Sequence, residues 1–299
     1  MPVIHIIAGP TASGKSSRAM NRATKENGVI VNADSMQVYD ALPILTARPT
    51  KEDMNTIPHR LYGTVSPAQS CSSGIWRSMA INEIEKIIAA GQTPIVVGGS
   101  GLYLKALMEG FSPMPDVPDD IRARAVARQA ELGNPAFHAE LARRDPVMAA
   151  RFHPMHTARL IRAWEVLEAT GKSLAEWQSL PKQNPPEDWL FEIELILPER
   201  AALNARCDAR FDAMMEGNVM TEIRDFSARL ERGEIPPNAL INRALGAQPL
   251  LAYHQGQIPR EDAVEQAKLE TRQYAKRQMT WFRHQITPQK NIAKITLIP

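Results

Sequence analysis

Two cysteines in 299 residues leave little room for disulfide chemistry. Cys71 and Cys207 lie far apart and form no Cys-x-x-Cys pair, so neither a disulfide framework nor a zinc finger is suggested. No run of about 18 apolar residues occurs anywhere, which excludes a spanning helix. The N-terminal "MPVIHIIAGP" has no basic segment ahead of an apolar run and no small-residue cleavage site. A reducing, cytoplasmic, untethered chain is the expectation. Charge of one sign is also scarce: the net value is +2, too small to demand a nucleic-acid partner. Its distribution is uneven, however, since residues 271–299 carry six Lys or Arg and no Asp or Glu. That tail suits a polyanion, or equally a solvated basic helix running into a loose end.

What is present reads as an ordinary globular chain long enough to bury a large core. "VIHII", "GVIVNAD" and "TPIVVGG" are short β-branched apolar runs separated by helical patterns, the rhythm of a parallel sheet with crossover helices. "SPMPDVPDD" and "LPKQNPPEDW" break that rhythm, and the segment between them is helical and rich in Ala and Arg. After the second break "WLFEIELIL" reads as a strand and "PERAALNARCDARFDAMMEG" as a long helix. The expected architecture is therefore α/β. A P-loop core over residues 1–112 and 183–299 is interrupted by an all-helical insertion over 113–182.

Gly9, Gly14, Lys15 and Ser16 match G-x-x-x-x-G-K-[ST], placed after a strand and before a helix. In such a loop, spanning Gly9, Pro10, Thr11, Ala12, Ser13, Gly14, Lys15 and Ser16, successive backbone N–H groups cradle an anion. Lys15 adds a point charge and the Ser16 hydroxyl is a ligand for Mg²⁺. NTP-cleaving relatives of this loop carry a second acid at the end of an apolar strand. Here "TPIVVGGSGLYL" ends in Gly98 and Gly99 instead, and the strand-end acid is Asp34. Asp34 is a metal-shell acid, a general base or the cap of a following helix, and it lies near the loop if the two strands are neighbours.

"GPTASGKS", "NADSMQVY", "PHRLYG", "VVGGSGLYLKALMEG", "RDPVMAARFHPMHTARLIRAWEVLEATGKSL" and "TRQYAKRQMTWFR" resemble, in order, the blocks of the tRNA dimethylallyltransferase family. The resemblance runs from about residue 4 to residue 284. It implies Mg²⁺-dependent transfer of the dimethylallyl group of dimethylallyl diphosphate to N6 of adenosine 37, in the anticodon arm of tRNA, with loss of diphosphate. The phosphate loop would then hold a leaving group, and no γ-phosphoryl transfer would need the missing acid.

Residue by residue, the resemblance makes Asp34 the base for the adenine amine and puts Arg210, with Lys15, at the reacting diphosphate. A helix arginine paired to Asp208 or Asp212 is the ordinary reading of Arg210. Ser35, Met36, Gln37, Ser100, Arg122, Arg159 and Arg162 match tRNA-contacting positions, as do Arg243, Gly246, Lys276, Arg277, Trp281 and Arg283. Arg159 and Arg162, three apart, share a helix face. Aromatics among cations suit single-stranded loop recognition, although Trp281 and Phe282 at helical spacing also suit a core. Ala247 and Gln248 depart from the family's aromatic and basic residues, and Leu45 and Arg48 from its Gly and Lys. The implied partners are tRNA and the donor, the target base being flipped out to reach Asp34, and the expected species is a monomer. A small-molecule or nucleotide kinase and an AMP-directed prenyltransferase share the loop but have no use for the basic, aromatic last helix.

Overall fold

A computed structural model describes residues 1–299. Six strands form one parallel sheet: β1 (Val3–Ala8), β2 (Gly28–Asn32), β3 (His59–Arg60), β4 (Thr93–Gly98), β5 (Leu190–Ile196) and β6 (Ile292–Ile298), in the order β3-β2-β4-β1-β5-β6. β2 is buried along its whole length and β4 from its second residue on, as expected of β-branched runs covered on both faces. Alternation along β1 sends Ile4 and Ile6 to the larger core, with Trp76, Tyr39 and Phe191. Ile7 faces a smaller one with Ile30, Ile95 and Ala19.

The helices of the first half are α1 (Lys15–Lys25), α2 (Lys51–Thr56), α3 (Ser73–Ala89) and α4 (Gly101–Glu109). Thr50 and Asp53 form a capping box on α2 and Ser72 caps α3. α1 is different: its N-cap is Gly14 and no side chain accepts from its first turn. The insertion contributes α5 (Asp119–Arg144), α6 (Pro146–Arg151), α7 (Thr157–Thr170) and α8 (Leu174–Ser179). α5 is broken at Gly133, whose φ of 69° leaves the helical region just ahead of Pro135. Beyond β5 come α9 (Arg200–Glu216), α10 (Val219–Glu231), α11 (Ala247–His254) and α12 (Arg260–Gln285). No helix is long and apolar enough to cross a membrane.

The contacts divide the chain into two compact units, Met1–Met108 with Pro185–Pro299, and Glu109–Asn184. The second unit has its own core, built on Phe137, Leu141, Met148, Leu160 and Val166. The tail corrects one expectation: residues after the basic helix are not a loose end. Ile292–Ile298 pairs with β5 and completes the sheet. The signal was weak because an edge strand is only partly covered; none of its residues is fully buried, and partly buried and exposed positions follow one another without strict alternation.

Candidate active site

The phosphate loop joins β1 to α1, and its conformation is set by backbone requirements. A Cβ at Gly9 would overlap the Ile196 carbonyl, and Gly14 holds φ at 91° to start α1. Lys15 Nζ donates to the Pro10 carbonyl at 2.6 Å, folding the lysine back over the loop. Burial pushes the Lys15 ammonium down to about 8, with Arg210 adding to the fall and Asp34 opposing it. The Ser13 hydroxyl is buried and has no hydrogen-bond partner. A half-buried cation, an orphaned hydroxyl and an uncapped helix N-terminus together form a donor set suited to an anion.

Asp34 stands beyond the end of β2, and here the strand order corrects the sequence reading. β2 and β1 are not neighbours, because β4 runs between them. Asp34 still reaches the loop's chamber because β4 ends without side chains: a Cβ on Gly98 would overlap the Ala33 backbone, and one on Gly99 would meet the Gln278 amide. Of the two glycines that stand where a second acid was absent, Gly98 thus leaves the space that the Ala33 backbone beside Asp34 needs, and Gly99 the space of the Gln278 amide. Asn32 fixes this corner, accepting from the Asp34 N–H at 2.9 Å and donating to the Asp34 and Leu61 carbonyls. Asp34 caps no helix, since residues 35–38 are turn. Its Oδ1 accepts from the Met36 and Gln37 N–H groups at 2.9 and 3.4 Å, closing that turn and leaving Oδ2 free of hydrogen bonds.

Arg210 departs from the ordinary reading of a helix arginine. Asp208 is held by Arg272 and Asp212 by Lys268, and Arg210 donates instead to the Thr11 hydroxyl at 2.6 Å. Burial lowers its pKa. Asp34 and Arg210 line two adjoining chambers. One, about 360 Å³, is polar and walled by the loop from Thr11 to Ser17, with Gln37, Tyr62 and Arg206 opposite. The other, about 300 Å³, is walled by Met36, Leu45, Phe211, Met214 and Leu245, with Arg243, Tyr274 and Arg277 at its polar positions. Thr11 and Thr46 are shared as well.

The remaining candidates divide. Ser100 joins the Asp34 corner, its hydroxyl accepting from the Ser35 N–H at 2.9 Å and donating to Ser35 Oγ at 3.1 Å. The Gln37 amide donates to the Thr46 and Ala47 carbonyls, so it holds the loop beside the chambers. Lys276, Arg277 and Arg283 are all exposed, and Arg277 lies over the Tyr274 ring at 5.6 Å. Trp281 is half-buried against Gly101, and Phe282 is fully core and so no stacking platform. Gly246 starts α11 with φ at 80°, and its N–H donates to Glu270. Ala247 next to it is fully buried, and Gln248 donates to the Asn242 carbonyl.

Arg122, Arg159 and Arg162 belong to the helical unit. Arg122 is exposed at the start of α5. The shared face of Arg159 and Arg162 is not a uniform cationic surface: Arg159 covers the Phe152 ring, and Arg162 pairs at 2.7 Å with the buried Glu165.

Sequence reasoning missed Tyr62, Tyr274 and Gln278. Burial and the nearby Asp34 carboxylate push the Tyr274 phenol up to about 12, which keeps it a neutral donor beside Ser100. Gln278 accepts from the Thr11 N–H at 2.9 Å and donates to the Gly99 carbonyl at 2.8 Å. A signal for it existed: Ala275, Gln278, Met279 and Phe282 form an i, i+3, i+4, i+7 buried stripe in which Gln278 is the one strongly polar member.

A family model described as IPP transferase matches residues 37–285. The tRNA dimethylallyltransferase of Paramagnetospirillum magneticum is 50% identical over 281 residues, 94% of this chain and 88% of that one. The full-length tRNA isopentenylpyrophosphate transferase of Bacillus halodurans superposes with a TM-score of 0.65 at 31% identity, covering 99% of this chain and 89% of that one. A eukaryotic dimethylallyltransferase captured acting on tRNA gives a TM-score of 0.76 at 29% identity, covering 94% of this chain and 70% of the other.

Proposed function

The chain belongs to the IPP transferase family, that of the tRNA dimethylallyltransferases, and from that premise we propose the following reaction. The dimethylallyl group of dimethylallyl diphosphate moves to N6 of adenosine 37 in the anticodon loop of tRNA, and diphosphate leaves. The observation that carries this reading is that Asp34 and Arg210 line both chambers at once, so a base and a cation face the junction where a donor and an acceptor meet.

The diphosphate occupies the polar chamber, against the N–H groups at the start of α1 and the Lys15 ammonium, with the buried Ser13 hydroxyl as a further donor. The allylic carbon lies at the junction. Its bond to the diphosphate oxygen breaks, the electron pair passes to that oxygen, and Arg210, oriented by Thr11, stabilises the charge that appears there. The N6 lone pair forms the new N–C bond. A free adenine amine is far too weak an acid to ionise first, so Asp34 Oδ2, the oxygen without a hydrogen bond, takes the N6 proton as the bond forms. Leu45, Phe211, Met214 and Leu245 keep water from the allylic carbon, which has cation character at this moment.

Ser16, exposed to the polar chamber, offers the hard oxygen that suits Mg²⁺, an ion that binds through few protein ligands together with phosphate oxygens and water. When bound, Mg²⁺ supplies positive charge to the departing diphosphate. Lys276, Arg277 and Arg283 are the cations of α12 suited to the RNA backbone, and the target adenine leaves its stack to enter the apolar chamber beside Met36. The acting species in this reading is a monomer.

The test supplies Mg²⁺, labelled dimethylallyl diphosphate and either unmodified tRNA or AMP. Label on tRNA alone is expected. Label on AMP alone, or on neither acceptor, overturns the reading.

A further inference from the structure

Gln278 is 5% exposed, and its amide is committed at both ends: Oε1 to the Thr11 N–H and Nε2 to the Gly99 carbonyl. It fills the cleft between the ends of β1 and β4, where Gly99 has no side chain because a Cβ there would meet the Gln278 amide nitrogen. The residue it holds on the loop side is Thr11, whose hydroxyl orients Arg210. The two residues before it, Lys276 and Arg277, are exposed, and Arg277 reaches the apolar chamber. One turn further on, Trp281 packs on Gly101, so the inward face of α12 is keyed to the loop and to the end of β4 at two successive points.

A single rigid helix thus carries cations on one side and grips a phosphate-loop amide on the other. Whatever seats those cations also sets where Gln278 holds Thr11. We infer that Gln278 is a positioning residue that couples RNA binding on α12 to diphosphate binding in the polar chamber. The inference rests on the proposed reaction, because that reading makes RNA the ligand of α12. Coupling of this kind is reciprocal: RNA strengthens diphosphate binding by the factor by which diphosphate strengthens RNA binding. The bond to Thr11 acts through position alone. It contributes no charge and touches no reacting atom.

The experiment measures binding of inorganic pyrophosphate, with Mg²⁺, to the full-length protein alone and saturated with unmodified tRNA. Three proteins are compared: wild type, Gln278→Met, which fills the cleft without either hydrogen bond, and Gln278→Asn, which is neutral and one methylene too short to hold Thr11 and Gly99 together. In the wild type, tRNA is expected to tighten pyrophosphate binding at least about fivefold, the lower end of ordinary allosteric coupling. In Gln278→Met the free protein should bind pyrophosphate within about threefold of wild type while the enhancement by tRNA disappears; in turnover assays the donor KM rises with kcat nearly kept. If Gln278→Met melts below the assay temperature, Gln278→Asn, expected to keep less than half of the enhancement, carries the same test. A wild type in which tRNA leaves pyrophosphate affinity unchanged, or variants that keep the full enhancement, overturns the coupling. Loss of pyrophosphate binding by the free variants also overturns it, since Gln278 would then be part of the loop's own fold. Failure of the wild type to label tRNA overturns the functional reading instead, so the two failures are distinguishable.

Discussion

The two chambers share Thr11, Asp34, Thr46 and Arg210, yet they are made in opposite ways. One side of the polar chamber is the continuous stretch from Thr11 to Ser17, whose N–H groups any sequence of suitable shape would present, while Asp34, Gln37, Tyr62, Arg206 and Arg210 come to it from elsewhere in the chain. The apolar chamber has no such stretch: its side chains come from β2's exit, the following loop, α9, the segment before α11, and α12, and its character depends on each of them. The anion cradle is therefore a local property here, whereas the choice and protection of what reacts with the anion is a tertiary one.

Substitutions at the junction separate the two contributions most sharply. Replacing Asp34 by Asn keeps the shape and the turn-closing acceptor but removes the proton acceptor. Turnover should fall at least about 100-fold with the donor KM within about threefold of wild type, as single-turnover kinetics would check. A donor KM that rose with the fall in turnover would make Asp34 part of the polar chamber's grip. Arg210→Met removes a charged hydrogen-bond donor facing the leaving oxygen. A loss of about 10- to 100-fold in kcat, with an unchanged far-UV spectrum, matches the worth of a charge-assisted bond.

The pH dependence of diphosphate binding tests the polar chamber alone. In the free protein the Lys15 ammonium titrates near 8, and the protonated form is the one that attracts the anion. The ratio of the pyrophosphate affinities of wild type and Lys15→Met, in which the ligand's own ionisation cancels, should therefore be constant below about pH 7 and fall as pH rises through about 8, by no more than about tenfold per pH unit; calorimetry on both proteins at several pH values reads this directly. A ratio that rose with pH would show that Lys15 is not the cation concerned. The smallest expected effect is on the RNA side: Lys276→Ala should lower the slope of log affinity against log salt for tRNA by about 1, with chemistry on bound RNA unaltered.

The same contrast explains what could be read from the sequence. "GPTASGKS" carries its own geometry, because the glycine spacing, the lysine and the strand and helix on either side are all local. The strand rhythm likewise gave the parallel sheet and the long helices α9 and α12, whose patterns are periodic over many residues. Strand order is a long-range property, so the placement of β4 between β1 and β2 was not legible, nor was the reason that β4 ends in Gly98 and Gly99. Arg210 was legible only through family resemblance. Its sequence neighbours Asp208 and Asp212 offer plausible partners, and only the packing of α9 against α12 reveals that Arg272 and Lys268 have taken both. Trp281 was assigned by its company of cations, but the missing side chain of Gly101, 180 residues earlier, draws the indole inward.

The clamp on Thr11 joins residues 267 apart in the chain. During synthesis the phosphate loop is among the first segments to leave the ribosome, but the glutamine that grips it and the strand β6 that closes the sheet emerge after nearly everything else. Contacts of such high sequence separation form late and slowly, because the intervening chain must be ordered before they are rewarded. A partly made chain would accordingly carry a recognisable phosphate loop while the wall that Thr271, Tyr274 and Arg277 give the second chamber was still missing. Competence to react is withheld until α12 docks, which makes the docking of that helix the step by which the folding protein becomes an enzyme.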